Sequence, residues 1–204
     1  MVGQSWLCSM FASGAMLWSL DLVGADMETD NTEISVRLAS GSEKALIEAL
    51  SQFYIYDFSE MEPANSKNLE FDDRGRFGGL PDVDDYWSKE NFYPLLIRLK
   101  DKPVGFALLN TRSHRGGPIE RNMGEFFIAR KHRRRGLATE AIRQILMSYP
   151  GRWEVAVAER NLAAKAFWPK AIAAAPNVSE LTQLEGDGEQ WRGPIWSFVA
   201  AKEP

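Results

Sequence analysis

Residues 124–146 read GEFFIARKHRRRGLATEAIRQIL, and the fold turns on how that stretch is parsed. Its opening, MGEFFIAR from Met123, is an apolar strand interrupted by one carboxylate, Glu125. From Gly136 onward the pattern changes. Leu137, Ala138, Ala141, Ile142, Ile145, Leu146 and Tyr149 fall on one stripe at helical spacing. A helix start leaves several backbone N–H groups without intrahelical partners. A Ser, Thr, Asp or Asn side chain normally accepts from them. Here the preceding residues are His132, Arg133, Arg134 and Arg135, and none can act as such a cap. The helix dipole, the free N–H groups and the guanidinium charges together favour an external anion, phosphate above all. Gly136 lets the backbone approach that anion closely. The same run also reads as a solvated basic turn or a targeting patch. Taken alone, the stretch leaves both readings open. No GxxxxGK[ST] and no GxGxxG occurs in the chain, so neither a Walker loop nor a dinucleotide fingerprint explains it.

Working outward, strands and helices alternate. ISVRL from Ile34 alternates apolar and polar residues as a short strand does. Ser42 then stands as N-cap of a helix with Ala45, Leu46, Ala49, Leu50 and Phe53 on its apolar face. Residues 57–90 are loop-rich and carry ten Asp/Glu against four Lys/Arg. FYPLLIRL and VGFALLN form two strands joined at KDKP. Downstream of the central helix come the strand WEVAVA, a helix capped by Asn161 and running through Trp168, and a closing pair of strands, SELTQLE and PIWSFVA. Pro169 is expected to interrupt that second helix.

The chain has 204 residues, 45% hydrophobic and 25% charged, which is the composition of a globular domain. One cysteine, Cys8, excludes an internal disulfide. Cys8 with His114 and His132 cannot complete a zinc site without carboxylates, and no metal is expected. A net charge of −4 argues against a general nucleic-acid coat. Residues 1–32 are set apart as an N-terminal extension and residues 33–204 as the domain. Within it, residues 1–26 hold a largely apolar run, Trp6 to Val23, before Met27, and allow three readings. They are an upstream stretch with little part in the fold, a signal or anchor without the usual positive start, or a packed helix. A cytoplasmic location is expected, with no membrane and no nucleic-acid partner.

Two motifs break the tie at the basic corner. Arg133-x-x-Gly136-x-Ala138, following an apolar strand, resembles the Q/R-x-x-G-x-G/A acyl-CoA signature of the GNAT superfamily of N-acetyltransferases. Asn161-Leu-Ala-Ala164-Lys-Ala-Phe167-Trp168 resembles that family's N-x-x-A/S-x-x-F/L-Y pattern. The resemblance covers roughly residues 33–200. It implies an α+β, three-layer fold: a mixed, mostly antiparallel twisted sheet of six or seven strands, flanked by helices. Two splayed strands would admit the pantetheine arm of acetyl-CoA. Carried over residue by residue, Phe126, Phe127 and Ile128 would offer backbone groups to pantetheine. Arg133, Arg134, Arg135, Gly136, Leu137 and Ala138 would hold the pyrophosphate, mostly through main-chain N–H groups. Asn161 and Trp168 would sit on the opposing side.

The implied reaction is acyl transfer to a primary amine, which needs a base. Glu125 is the candidate, because a carboxylate inside an apolar strand either faces a cleft or is paired to an arginine. Strand alternation puts it on the face of Phe127, opposite Phe126 and Ile128. The resemblance makes the N–H of Ile128 the oxyanion donor. Trp168 stands where the family has a tyrosine, and an indole is no practical acid. Tyr54 or Tyr149 would substitute, or coenzyme A would leave as thiolate. On the acceptor side, Tyr54, Tyr56, Asp57 and Trp87 are candidates, Tyr86 joins the tyrosines and Trp87 as a wall or cation–π surface, and the acidic loop would gather a cationic amine. A solvated loop is the plainer account of the same residues. A catalytically silent acyl-CoA-binding module and an RNA-associated protein remain the competing functions, and a homodimer stays open.

Overall fold

The computed structural model describes residues 33–66 and 69–202. Residues 1–32, and with them the three readings of residues 1–26, lie outside the described residues. Among the described residues, seven strands form one sheet: β1 (Ile34–Leu38), β2 (Tyr93–Leu99), β3 (Lys102–Asn110), β4 (Arg121–Ile128), β5 (Gly151–Ala156), β6 (Val178–Glu185) and β7 (Pro194–Ala200). Their order is β1-β2-β3-β4-β5-β7-β6. Every neighbouring pair is antiparallel except β4 and β5. The α-helices are α1 (Lys44–Ser59), the one-turn α2 (Asp85–Ser88), α3 (Leu137–Ser148) and α4 (Leu162–Ala173). This is the expected mixed, mostly antiparallel α+β architecture.

The three layers follow from strand alternation. On β3, Phe106 and Leu108 join Ile47 and Ile55 of α1 and Tyr86 of α2. Ala107 and Leu109 turn to the other face, against Ile142, Ile145 and Leu146 of α3 and Trp168 and Ile172 of α4. β4 obeys the same rule: Phe127 packs with the α1 side, Ile128 with Leu137 and Ala141 of α3. Trp153 of β5, fully buried, stacks parallel to Phe198 of β7 at 6.1 Å. Side chains of this size bury the bulk of the apolar area that drives the fold.

Two local expectations change. The chain turns into α1 through a 3-10 segment, Gly41–Glu43, so Ser42 lies inside that turn and is not the cap. Ser40 takes the position. Its N–H donates to Glu43 Oε2 at 3.1 Å, and Glu43 N–H donates to the Ser40 carbonyl at 2.9 Å. Arg37 and Arg98 also hold the Glu43 carboxylate. The bonds from Arg37 chiefly keep its carboxyl well below the usual carboxylate range. Pro169 does not end α4, which continues to Ala173. A proline inside a helix costs about 3 kcal/mol. Burial of Trp168, Ala171 and Ile172 in the core, on both sides of the proline, offsets that cost.

Gly105 of β3 carries a stability prediction. A Cβ there would collide with the carbonyl oxygen of Phe127, which is backbone and cannot swing aside. Gly105→Ala should destabilise the protein by about 3 kcal/mol, the upper range for overpacking a core. A fall in the urea midpoint at unchanged slope would show it.

Candidate active site

β4 and β5 share two pairs, Arg121↔Trp153 and Asn122↔Glu154, and then part. The cause lies on β4. Leu108 pairs with Glu125 while Leu109 pairs with Met123, so Gly124 is an extra residue in a bulge. A bulge bends its strand and increases the local twist. β5 meanwhile stays with β7: the N–H groups of Val157 and Glu159 still donate to Pro194 and Arg192, at 3.0 and 3.1 Å. Between the parted strands opens a cleft of about 730 Å³, with Glu125, Phe126, Ala156, Asn161 and Trp168 in its walls.

The lips of the cleft carry directed backbone groups. Ala129 N–H donates to Val104 at 2.8 Å. Antiparallel pairs alternate between bonded and non-bonded. Phe127, opposite Phe106, therefore spends its N–H on β3, and Phe126 and Ile128 direct theirs away from β3; Phe126 lines the cleft, and Ile128 lies beyond its lining. On the other lip Ala156 and Ala158 face inward by the same alternation. Phe127 is thus a core residue, buried against Phe106 and Tyr54, and offers the cleft nothing. Phe126 meets the Trp168 ring edge-on at 5.4 Å. Asn161 lines the cleft and also caps α4, its Oδ1 accepting from Ala164 N–H at 3.0 Å.

At the far end of β4, α3 starts on Gly136, whose φ of 76° is left-handed, with no side-chain cap. Arg134 is also left-handed, at φ 59°. Left-handed residues in such a turn aim successive N–H groups toward one point, an anion-binding concavity. Leu137 and Ala138 follow as the first residues of α3, where N–H groups have no helical partner. The side chain of Leu137 is buried in the core, so only its main chain faces outward. Arg133 departs from its expected role. Its Nε donates to the Ile128 carbonyl at 2.7 Å, and its guanidinium pairs with Asp57. It braces the end of β4 rather than reaching for phosphate. Exposed Arg134 and Arg135 supply the positive charge at this corner.

Glu125 lies on the α1 face of β4, where Tyr54 donates a hydrogen bond to its Oε2. Burial pushes its carboxyl up to about 7, against the lowering effect of the Tyr54 bond. Burial and the Glu125 charge hold the Tyr54 phenol well above 10, so it stays a donor. Among the described residues no arginine pairs with Glu125, and its side-chain partner is Tyr54. Tyr149 packs against Tyr93 at 5.0 Å and does not line the cleft.

The acceptor-side residues divide. Tyr54 lines the cleft; Tyr56, Asp57 and Trp87 do not. Tyr56 is exposed beside Phe77. Asp57 is held by Arg130, at 2.7 Å, and by Arg133. The Trp87 indole donates to the Ser40 carbonyl at 3.4 Å. The acidic loop is largely engaged as well. Asp82 and Asp85 pair with Arg112, Asp84 with Lys44, and Asp72 accepts from the Arg74 and Arg76 amides. Tyr86 does line the cleft with Tyr54, and Asn110, Asn122, His114 and Trp191 join them. Burial lowers the His114 imidazole below its ordinary value, which favours its neutral form. Tyr86 is among the walls of the acceptor side expected from the sequence, whereas nothing in the sequence marks Asn110 or Asn122 beyond a polar residue in an apolar strand.

A sheet parted between its two parallel strands, with free backbone donors on both lips and an uncapped helix beyond, is the frame of an acyltransferase. Sequence comparison agrees: a model of the Acetyltransferase (GNAT) family matches residues 49–172, and the chain belongs to that family. Among curated proteins none matches the sequence. Solved structures share the fold. An acetyltransferase of Thermus thermophilus is 16% identical, with a TM-score of 0.55 over 82% of this chain and 97% of that one. The PaiA N-acetyltransferase of Thermoplasma acidophilum, in complex with coenzyme A, is 10% identical, with a TM-score of 0.52 over 82% and 99%. The spermidine N-acetyltransferase of Vibrio cholerae, in complex with CoA and spermine, is 12% identical, with a TM-score of 0.50 over 84% and 98%. Among the described residues no helix is long and apolar enough to cross a membrane, and no cluster of ligating side chains could hold a metal ion.

Proposed function

We propose that this protein moves an acetyl group from acetyl-CoA to a primary amine, with Glu125 as the base. The observation that carries this is a buried carboxyl, pushed up to about 7, in the wall of the cleft between the parted strands. A base with that value is half ionised near neutrality and can both take and release a proton. The chain's fit to acetyl-CoA rests on two features. Backbone N–H groups at Phe126, Ala156 and Ala158, which line the cleft, and at Ile128 just beyond it, suit the amide-rich pantetheine arm. The left-handed turn at Arg134 and Gly136, leading into uncapped Leu137 and Ala138, suits a diphosphate. Acetyl-CoA supplies an acetyl group already activated as a thioester. Glu125 removes the proton from the acceptor's ammonium, and the Ile128 N–H is the donor for negative charge developing on oxygen.

An acyl-CoA-binding module without turnover is the second reading, and Trp168 favours it. Tyr54 does not replace the missing acid, since its proton is committed to Glu125. Coenzyme A then leaves as a thiolate that takes up its proton afterwards. Calorimetry with acetyl-CoA and a panel of primary amines scored for thiol release separate the readings. Binding with release supports the enzyme. Binding without release from any amine supports the module. No heat at millimolar acetyl-CoA removes both.

A further inference from the structure

The bulge at Gly124 makes room for two side chains. A Cβ there would fall 2.6 Å from Asn110 Nδ2 and 2.8 Å from the Tyr86 hydroxyl. Both residues are buried, Asn110 at 4% and Tyr86 at 6% exposure. Their hydrogen bonds run in one direction. The Arg112 N–H can only donate, so the Asn110 atom it meets at 2.9 Å is the carbonyl Oδ1. Asn122 Nδ2 donates to the same oxygen at 3.0 Å. That orientation turns Asn110 Nδ2 toward Tyr86, whose hydroxyl oxygen accepts at 2.8 Å. The tyrosine's own hydrogen is left over, and no acceptor meets it among the described residues. Tyr86 and Glu125 line the same cleft. Gly124, the chain neighbour of Glu125, brings its backbone against the Tyr86 hydroxyl; burial chiefly raises the Tyr86 phenol and the Glu125 charge adds to it, though the two share no direct hydrogen bond. A buried donor left unspent is costly, which calls for a partner inside the cleft.

We infer that Tyr86 is a positioning residue for proton transfer: its hydroxyl holds a water that bridges to Glu125, and the acceptor's proton reaches Glu125 through that water. The inference rests on the amine-acetylation reading above. The acceptor nitrogen gives one proton to the water oxygen as the water passes one of its own to the carboxylate. The water is regenerated, Glu125 ends protonated, and the nitrogen keeps its lone pair for attack. Asn110, fixed by Arg112 and Asn122, keeps the Tyr86 hydrogen from turning inward. The groups around Glu125 leave this path clear. Tyr54 from α1 binds the other side of the carboxylate through Oε2. Arg112 is engaged by Asp82 and Asp85, at 2.9 and 2.6 Å. His114 and Glu70 complete the titratable lining of the cleft.

Tyr86→Phe in the full chain tests this and keeps the ring in the core. Carbon-13 NMR of the Glu125 carboxyl, in protein without ligand, reads the coupling directly. The titration midpoint should move to higher pH, because the carboxylate loses an oriented donor. With acetyl-CoA and n-butylamine as probe, kcat should fall about tenfold, the worth of one hydrogen bond, with KM for acetyl-CoA unchanged. In a Glu125→Gln background the same change should add less than about twofold, since both residues serve one path. An unmoved Glu125 midpoint overturns the inference, as does a full tenfold loss in the Glu125→Gln background. If no amine supports thiol release, the acetylation reading fails, and the NMR midpoint alone decides whether Tyr86 and Glu125 are coupled.

Discussion

Glu125→Gln should lower turnover by about 10²- to 10⁴-fold, the range a positioned base contributes. Acetyl-CoA affinity should stay near wild type, because glutamine keeps the shape and still accepts from Tyr54. The wild-type rate should rise with pH through about 7 as Glu125 loses its proton. In the variant that limb should vanish. Rates measured across the pH range on a working amine check both. Turnover near wild type, with the limb intact, would assign the base elsewhere in the cleft.

The same substitution should make the protein more stable at neutral pH, which an ordinary loss of contact would not. The folded carboxyl titrates near 7, its unfolded counterpart near 4.5. Between those values the native state keeps a proton that the unfolded chain has released. Stability therefore declines as pH climbs from about 4.5 to about 7, and the full cost stands above 7. A gap of about two and a half pH units corresponds to about 3 kcal/mol. Glutamine has no such penalty. Urea denaturation at pH 8 should favour the variant, and at pH 4 the two proteins should nearly coincide. Activity held at a cost in stability is the compromise that the role proposed for Glu125 entails.

The strands and the two long helices of the α3–α4 side were legible because their signals are local and periodic. Glu125 was legible for a related reason: a carboxylate breaks the pattern of an apolar strand, and alternation gives its face. The basic corner was legible from what it lacks, an N-cap. What stayed hidden depends on distant pairing. Arg133 looks in sequence like one of three equivalent arginines. Only the fold brings it against Asp57, more than seventy residues away, and the Ile128 carbonyl. The acidic loop looks like an open negative mouth until Arg112 and Lys44 are found pairing with it. Gly124 gives no periodic signal either, since its meaning is a register shift between β3 and β4. Pro169 misleads for the opposite reason: its local effect is real, but the burial of Trp168 and Ile172 outweighs it.

Gly136→Glu should reduce acetyl-CoA affinity by about 100-fold or more while α3 persists. Gly136 sits at φ 76° as the first residue of the helix entry. A side chain in that conformation costs about 1 kcal/mol. α3 tolerates this, because its stripe of Leu137, Ala141, Ile142, Ile145 and Leu146 is buried. The new carboxylate would lie at the positive end of the helix, where negative charge is favoured. It would accept from the N–H groups proposed to hold the diphosphate and repel the diphosphate itself. Losing two charge-assisted hydrogen bonds amounts to about 3 kcal/mol, hence the 100-fold figure. Acetyl-pantetheine, which lacks the diphosphate, should bind variant and wild type alike. Gly136→Ala, which adds strain without charge, should weaken acetyl-CoA far less. Calorimetry on the three proteins with both ligands distinguishes these outcomes. If acetyl-CoA binds Gly136→Glu as it binds wild type, the diphosphate does not rest on the N-terminus of α3, and the acyl-CoA orientation derived from that turn is wrong.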